Sequence, residues 1–194
     1  MKKLNFRKLQ QKEHESIMAA MAMQTFNPAI GRTLVSGSVN KFIVSSVREL
    51  PKLEKISTRA EFDRFHDRWC KKLMIKIRGC GYGSAQKAIN VLLKMYVYWS
   101  KMPRNWERLK RYLHVPLDSV IIEYFETNYS DQFETFISPL YENYDHDCYN
   151  LKHMTRHQYL PWVKLLRKVA EKNPAIEIDI LWQIERLRKA RAKI

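Results

Sequence analysis

The most regular pattern in the chain is the recurrence of apolar residues every three or four positions, which predicts amphipathic helices packed through one face. Three such stripes stand out: Phe62, Phe65, Trp69, Leu73 and Ile77; Ala85, Ala88, Leu92, Met95 and Trp99; Tyr159, Trp162, Val163, Leu166 and Val169. No segment shows the strict alternation that is typical of a β-strand. The sequence therefore predicts an all-α fold, organised as a single domain over residues 1–194.

Capping signals predict where these helices begin and end. Ser57 or Thr58 can cap the first striped helix, and Thr58 followed by Glu61 has the spacing of a capping box. Gly79 ends this helix. Thr155 opens the third striped helix, and the pair 173–174 (Asn-Pro) ends it. Further helices are predicted over 2–23, 39–50 (ended by Pro51), 104–111, 120–125 and 178–192, with short helices and loops over 129–153.

The net charge of the chain indicates that this helical domain has an anionic partner. Its 194 residues carry 35 basic and 20 acidic side chains, a formal net charge of +15. An excess of this size favours nucleic acid, while a basic protein at a membrane surface is the competing interpretation. No apolar run approaches the roughly 20 residues that span a bilayer. The three cysteines are expected to be free thiols in a reducing cytoplasm.

Three glycines lie close together in the turn before the second striped helix: Gly79, Gly81 and Gly83. A glycine turn at a helix N-terminus can bind a phosphate, because unpaired N–H groups and the helix dipole both favour an anion. The same residues also suit an ordinary C-cap and turn between two packed helices. The glycines alone leave both interpretations open.

Lys87 is predicted to lie in the first turn of the helix that follows. There the positive end of the dipole disfavours an ammonium group, and Lys94 would act in the same direction if it faces the same cleft. A lysine in such a place suits nucleophilic catalysis by its amine. The alternative is a solvated surface lysine, which is common in so basic a protein.

Asp118 stands before an apolar helical run and shortly after Pro116. An aspartate in this position is typical of a helix N-cap. It can equally supply a fixed carboxylate beside an electron-poor sugar carbon.

Taken together, these stretches resemble the helix-hairpin-helix DNA glycosylase superfamily, and within it most of all the archaeal 8-oxoguanine DNA glycosylases. The signature lysine of the family follows a glycine by four positions, as Lys87 follows Gly83. Gln86 before that lysine and the later pair 94–95 (Lys-Met) match the archaeal branch. The segment 115–118 (Val-Pro-Leu-Asp) is similar to the second signature, about thirty positions after the lysine.

The resemblance implies two closely packed helical lobes with the active site between them, and places the motifs within about 60–128. It implies that a modified base is flipped out of double-stranded DNA and excised, with Lys87 as nucleophile, Asp118 as the carboxylate, and strand cleavage as a lyase. The DNA-binding residues it implies are Gly79, Gly81, Gly83, Ser84, Gln86, Lys94 and His114. No metal or organic cofactor is expected, and the protein is expected to be a monomer in the cytoplasm, associated with the nucleoid.

The base pocket is less defined. The segment 178–182 (Ile-Asp-Ile-Leu-Trp) is similar to the pocket motif of the archaeal enzymes but about one residue short, which makes Asp179 and Trp182 candidates. Trp69 is a further pocket candidate, although its place on an apolar face also suits the core.

The substrate stays open between 8-oxoguanine and another modified base, including the hypermodified bases of phage DNA, which would make the protein an antiviral defence enzyme. A non-catalytic helix-hairpin-helix protein that only binds DNA is the alternative from another class.

Overall fold

The computed structural model describes residues 41, 42, 45, 46, 49–101, 103–180 and 184. This part of the chain is helical and contains no β-strand, which confirms the predicted all-α class. Its α-helices are α1 (Arg59–Lys76), α2 (Tyr82–Leu93), α3 (Trp106–Lys110), α4 (Ser119–Asn128), α5 (Ser130–Phe136) and α6 (Arg156–Ala170). Turns of 3₁₀-helix cover Leu50–Lys55, Ser138–Leu140 and Ala175–Asp179, and a π-helix covers Lys94–Trp99.

Helix α1 begins as its sequence predicts. The Thr58 side chain accepts a hydrogen bond from the Glu61 backbone N–H, and the Glu61 carboxylate accepts one from the Thr58 backbone in return. This reciprocal capping box satisfies two of the N–H groups that a helix start leaves without partners. The predicted apolar stripe of α1 is buried along its whole length. The helix ends at Lys76, and the chain then reverses through Gly79, which has a φ of 77°.

Helix α2 starts earlier than the glycine turn suggests, at Tyr82 with Gly81 as its N-cap, so that Gly83 lies inside the helix. Lys87 is therefore in the second turn, and its predicted place in the first turn is wrong. Because the dipole effect fades within the first turn, the helix terminus alone cannot activate this lysine. Nearly all of α2 is buried, with α1 packed against it and α6 on another side.

The second stripe does not continue as an α-helix to its end. After Leu93 the backbone changes to π-helix, with the Ser100 N–H donating to the Met95 carbonyl oxygen at 3.0 Å. The change rotates the following side chains out of the α-helical register. Trp99, predicted to lie on the buried face, is 44% exposed.

Helices α4 and α6 are capped as predicted. The Asp118 carboxylate accepts from the Ile121 backbone N–H at 3.1 Å, and Thr155 forms a capping box with Gln158. Tyr159 and Trp162 on α6 are fully buried against the rest of the core. The short segments predicted between residues 129 and 153 are present as α5 and the 3₁₀ turn after it.

Two predicted boundaries are wrong. The sequence predicts that Pro51 ends a helix, but it lies in the first turn of the 3₁₀-helix Leu50–Lys55, where its fixed φ is tolerated. Ile178, predicted to begin the last helix, lies inside the 3₁₀ turn Ala175–Asp179. The predicted helix over 2–23 and most of that over 178–192 fall outside the described residues. Among those that are described, no helix has the length and apolar character needed to cross a bilayer.

Candidate active site

The glycine turn packs tightly against the segment 151–154 that leads into α6. A Cβ atom at Gly81 would overlap the carbonyl oxygen of Lys152, and one at Gly83 would lie 2.8 Å from Cβ of Met154. The Gly83 N–H donates to the Met154 carbonyl oxygen at 3.1 Å. These two glycines are therefore required by packing, and the Gly83 N–H is already engaged within the protein. Gly79 differs, because it is exposed and nothing approaches its Cβ position.

Two buried amides on α2 hold the extended segment that precedes α4. Gln86 Nε2 donates to the carbonyl oxygens of Gly83 at 2.8 Å and Leu117 at 3.2 Å. The Leu117 N–H donates back to Gln86 Oε1 at 3.4 Å. One turn on, Asn90 Nδ2 donates to the Val115 carbonyl oxygen at 3.2 Å. The motif 115–118 is thereby fixed alongside the helix that carries Lys87.

This arrangement brings Lys87 and Asp118 together. Lys87 Nζ lies 3.5 Å from Asp118 Oδ2, and the two side chains are only 15% and 9% exposed. The other carboxylate oxygen caps α4 through Ile121. Asp118 is thus both an N-cap and the ionic partner of Lys87, so the two interpretations of this residue from the sequence are compatible.

A second ion pair lies beside the first. Lys94, on the π-helix after α2, pairs with Asp179 at the end of the 3₁₀ turn Ala175–Asp179, and both side chains are buried. Burial raises the pKa of the Asp179 carboxyl, while the Lys94 ammonium lowers it. The charges of Asp118 and Lys87 also act on this pKa, in opposite directions. Two lysines and two aspartates therefore form one charged cluster, here called the Lys-Asp cluster: Lys87, Lys94, Asp118 and Asp179.

Behind the cluster runs a chain of buried hydrogen bonds. Asn90 Nδ2 also lies 3.0 Å from the Tyr159 hydroxyl, which in turn lies 3.0 Å from His114 Nδ1. His114 Nε2 lies 2.8 Å from Asp63 Oδ1. A neutral imidazole with its proton on Nε2 satisfies every contact in this chain. Consistent with that state, burial lowers the pKa of His114 even though Asp63 raises it.

The remaining predicted site residues are dispersed. Both nitrogens of His114 contact protein groups, so a phosphate could bind there only if one of these bonds broke. Trp69 is 1% exposed, with its ring 4.7 Å from that of Phe65, and belongs to the core. Ser84 is buried in the first turn of α2. Trp182 lies outside the described residues.

Sequence reasoning missed the supporting residues Asp63, Asn90 and Tyr159. Asn90 carries a weak signal, since it is a polar residue between Lys87 and Lys94 on the same helix. Tyr159 has none, because its ring fits the apolar stripe of α6 and only its hydroxyl is polar.

No family model matches the chain, and neither does any curated protein or solved structure with which it was compared. In the described part of the chain, no group of three or more His, Cys, Asp or Glu side chains is placed to hold a metal ion. What the site can do is therefore inferred from its own geometry. A lysine amine beside a carboxylate, both nearly buried, suits amine nucleophilic catalysis at an electron-poor carbon.

Proposed function

We propose that the protein is a DNA N-glycosylase with lyase activity at abasic sites, acting on a modified base. The observation that carries the proposal is the contact between Lys87 Nζ and Asp118 Oδ2, at 3.5 Å in a nearly buried site. A solvated surface lysine is far more exposed than Lys87, whose side chain is 15% exposed. The pair is also held by dedicated amide contacts to the segment before Asp118, which is the rigidity that a reacting pair needs.

The chemistry follows from the two groups. The neutral Lys87 amine attacks C1′ of the flipped nucleotide, the N-glycosidic bond breaks, and the base departs with the bonding electrons and is protonated. Asp118 takes the ammonium proton from Lys87 across 3.5 Å and passes it to the departing base, so that its carboxylate, charged again, stabilises the positive charge that develops on the sugar. Opening of the sugar ring gives an imine between Nζ and C1′. Loss of the C2′ proton and the 3′ phosphate then breaks the strand, and water releases the enzyme.

Lys94 and Asp179 border this reaction as a paired donor and acceptor. In our proposal the Asp179 oxygen that does not face Lys94 contacts the polar edge of the extruded base, and Lys94 stays paired with the other oxygen. The Asp179 carboxylate can accept hydrogen bonds from N–H groups on that edge. Lesion identity would be read here, with 8-oxoguanine as the substrate expected from the family resemblance.

The net charge of +15 supports DNA as the partner. Cationic side chains release counterions from the phosphate backbone, so affinity for any duplex should fall steeply as salt is raised. The charge supports binding but says nothing about catalysis. A protein that only binds DNA would share it.

Borohydride trapping separates the two functions. The wild-type protein is incubated with duplexes that carry a panel of modified bases, 8-oxoguanine and hypermodified cytosines among them, and sodium borohydride is added. Reduction of the imine gives a covalent protein–DNA adduct, together with released base and strand breaks. Lys87→Ala abolishes the adduct, whereas the matched control Lys172→Ala, at an exposed lysine after α6, retains it. Salt-sensitive binding with no adduct and no released base on any duplex would identify a non-catalytic DNA-binding protein instead.

A further inference from the structure

Trp99 is the most exposed of the tryptophans that the structure describes. Trp69 and Trp162 are fully buried and Trp106 is partly buried, whereas Trp99 is 44% exposed. A single exposed apolar side chain is ordinary at a protein surface, so the role of Trp99 depends on what its ring contacts.

The ring of Trp99 lies at the edge of the Lys-Asp cluster. Lys94 Nζ is 4.7 Å from the centroid of the indole ring, the distance of a cation–π contact. The same ammonium is paired with Asp179. One face of the ring is thus held by Lys94, a member of the cluster, and the residue stays 44% exposed to solvent.

The π-helix is what places the ring there. Residues five apart on an α-helix point about 140° away from each other. In a π-helix, bonding from i to i+5 brings such residues onto the same side, which is how Trp99 comes to lie over Lys94. The turn is closed by two bonds to the Met95 carbonyl oxygen, from the N–H and the hydroxyl of Ser100, at 3.0 and 2.8 Å. π-Helical turns are rare and often occur at functional sites.

We propose that the exposed face of Trp99 is the stacking platform for the extruded base. This inference rests on the glycosylase function proposed above and deepens it, by assigning the aromatic contact that holds the base while Lys87 attacks C1′. A base that leaves the duplex loses its stacking partners, and an indole ring restores one of them without requiring a particular sequence. Lys94 fixes the orientation of the ring from the other face, so little freedom is lost when a base arrives.

The competing explanation is that Trp99 only shields the pair between Lys94 and Asp179 from water. The two explanations differ in which substrates they affect. Stacking matters only while a base is present, but shielding would matter for any reaction in the cluster, including cleavage at a site that has already lost its base.

The test compares Trp99→Ala, Trp99→Phe and the wild-type protein on two duplexes. One carries the modified base that the wild-type protein releases fastest, and the other carries a preformed abasic site. The matched control is Trp106→Ala, at a partly buried tryptophan that also has a lysine over its ring, with Lys101 Nζ 4.9 Å from the centroid. Base release under single turnover, KM and borohydride trapping are measured for each.

For Trp99→Ala we expect base release to fall by about 10- to 100-fold, the range for loss of one aromatic–base stack. Trapping at the abasic site should stay within about threefold of wild type, Trp99→Phe should recover most of the loss, and Trp106→Ala should release base at the wild-type rate. Equal loss on both duplexes, or no loss on either, would overturn the stacking role while leaving the glycosylase intact. If the wild-type protein releases no base and forms no adduct with the abasic duplex, the proposed function fails first, and this inference with it.

Discussion

Asp118 uses its two carboxylate oxygens for different partners: Oδ1 accepts from the Ile121 N–H at 3.1 Å, and Oδ2 faces Lys87 Nζ at 3.5 Å. The helix cap therefore orients the carboxylate that faces Lys87. Because the cap is set by the first turn of α4 and the lysine by the second turn of α2, the distance between the two groups depends on how these helices are held together.

Substitution of Asp118 should separate its two roles. Asp118→Asn keeps a side-chain oxygen that can cap α4 but removes the charge, and we expect base release to fall roughly 100-fold or more, as when one stabilising group of a reaction is removed. Asp118→Ala loses the cap as well and should be less stable than Asp118→Asn by about 1 kcal/mol. Single-turnover kinetics and urea unfolding measure the two effects. Asp131→Asn, in the first turn of α5, is the control and should alter neither.

Tyr159→Phe should weaken the chain of buried hydrogen bonds that runs through Asn90, Tyr159 and His114. The change leaves His114 Nδ1 without its partner in a buried environment and removes one of the acceptors of Asn90 Nδ2, at a cost of about 1–3 kcal/mol. Because Asn90 also holds Val115, base release should slow together with the loss of stability. Tyr129→Phe, outside this network, provides the comparison in thermal unfolding and in activity. Unchanged stability in Tyr159→Phe would contradict the hydrogen-bond chain.

The glycines of the turn should differ in their tolerance of alanine. Gly81→Ala and Gly83→Ala place a methyl group against the backbone of the segment 151–154, and overpacking of this kind costs about 1–3 kcal/mol or more. Gly79→Ala meets no neighbour and has only the strain of its positive φ, about 1 kcal/mol. Urea unfolding of the three variants ranks these costs. Equal stability at all three positions would show that close packing does not select the glycines.

Removing only one member of the ion pair between Lys94 and Asp179 should strongly lower the free energy of unfolding. Asp179→Leu leaves a buried ammonium without a counter-charge, and Lys94→Met leaves a carboxylate, at about 3–5 kcal/mol each for a buried pair. The double variant removes both charges, so its free energy of unfolding should fall by less than the sum of the single effects. A double-mutant cycle by chemical denaturation measures the difference. Additive effects would mean that the two groups do not interact.

Two buried histidines should make the protein less stable in mild acid. Burial lowers the pKa of His66 well below its usual value and also lowers that of His114, so the folded state binds fewer protons than the unfolded state. The contribution of the two neutral histidines to the free energy of unfolding is complete above about pH 6.5, the pKa of histidine in the unfolded chain. It is lost as the pH falls below that value. Thermal unfolding between about pH 7 and pH 5 should show the decline, and His66→Phe should flatten it. His157→Phe, at an exposed histidine, should keep the wild-type slope.

Local signals in the sequence predicted much of the fold. The capping box at Thr58, the helix start at Thr155 and the cap at Asp118 depend on residues three positions away, and the structure confirms all three. The apolar stripe of α1 is buried as its period requires. The family resemblance singled out Lys87 and Asp118 together, and the structure places them in contact.

The partners of the buried polar groups, the close packing at Gly81 and the π-helical turn could not be predicted from the sequence, because contacts between residues far apart in the chain decide them. Asn90 meets Tyr159 from 69 positions away, and Lys94 meets Asp179 from 85. The need for glycine at Gly81 comes from the backbone of Lys152, which no turn pattern reveals. Helix periods and caps act over three or four residues and can be read along the chain. The partners of a buried polar group, and the register of a π-turn, are chosen only when distant segments pack together, because a lone polar atom or an interrupted helix is stable only where another element satisfies it.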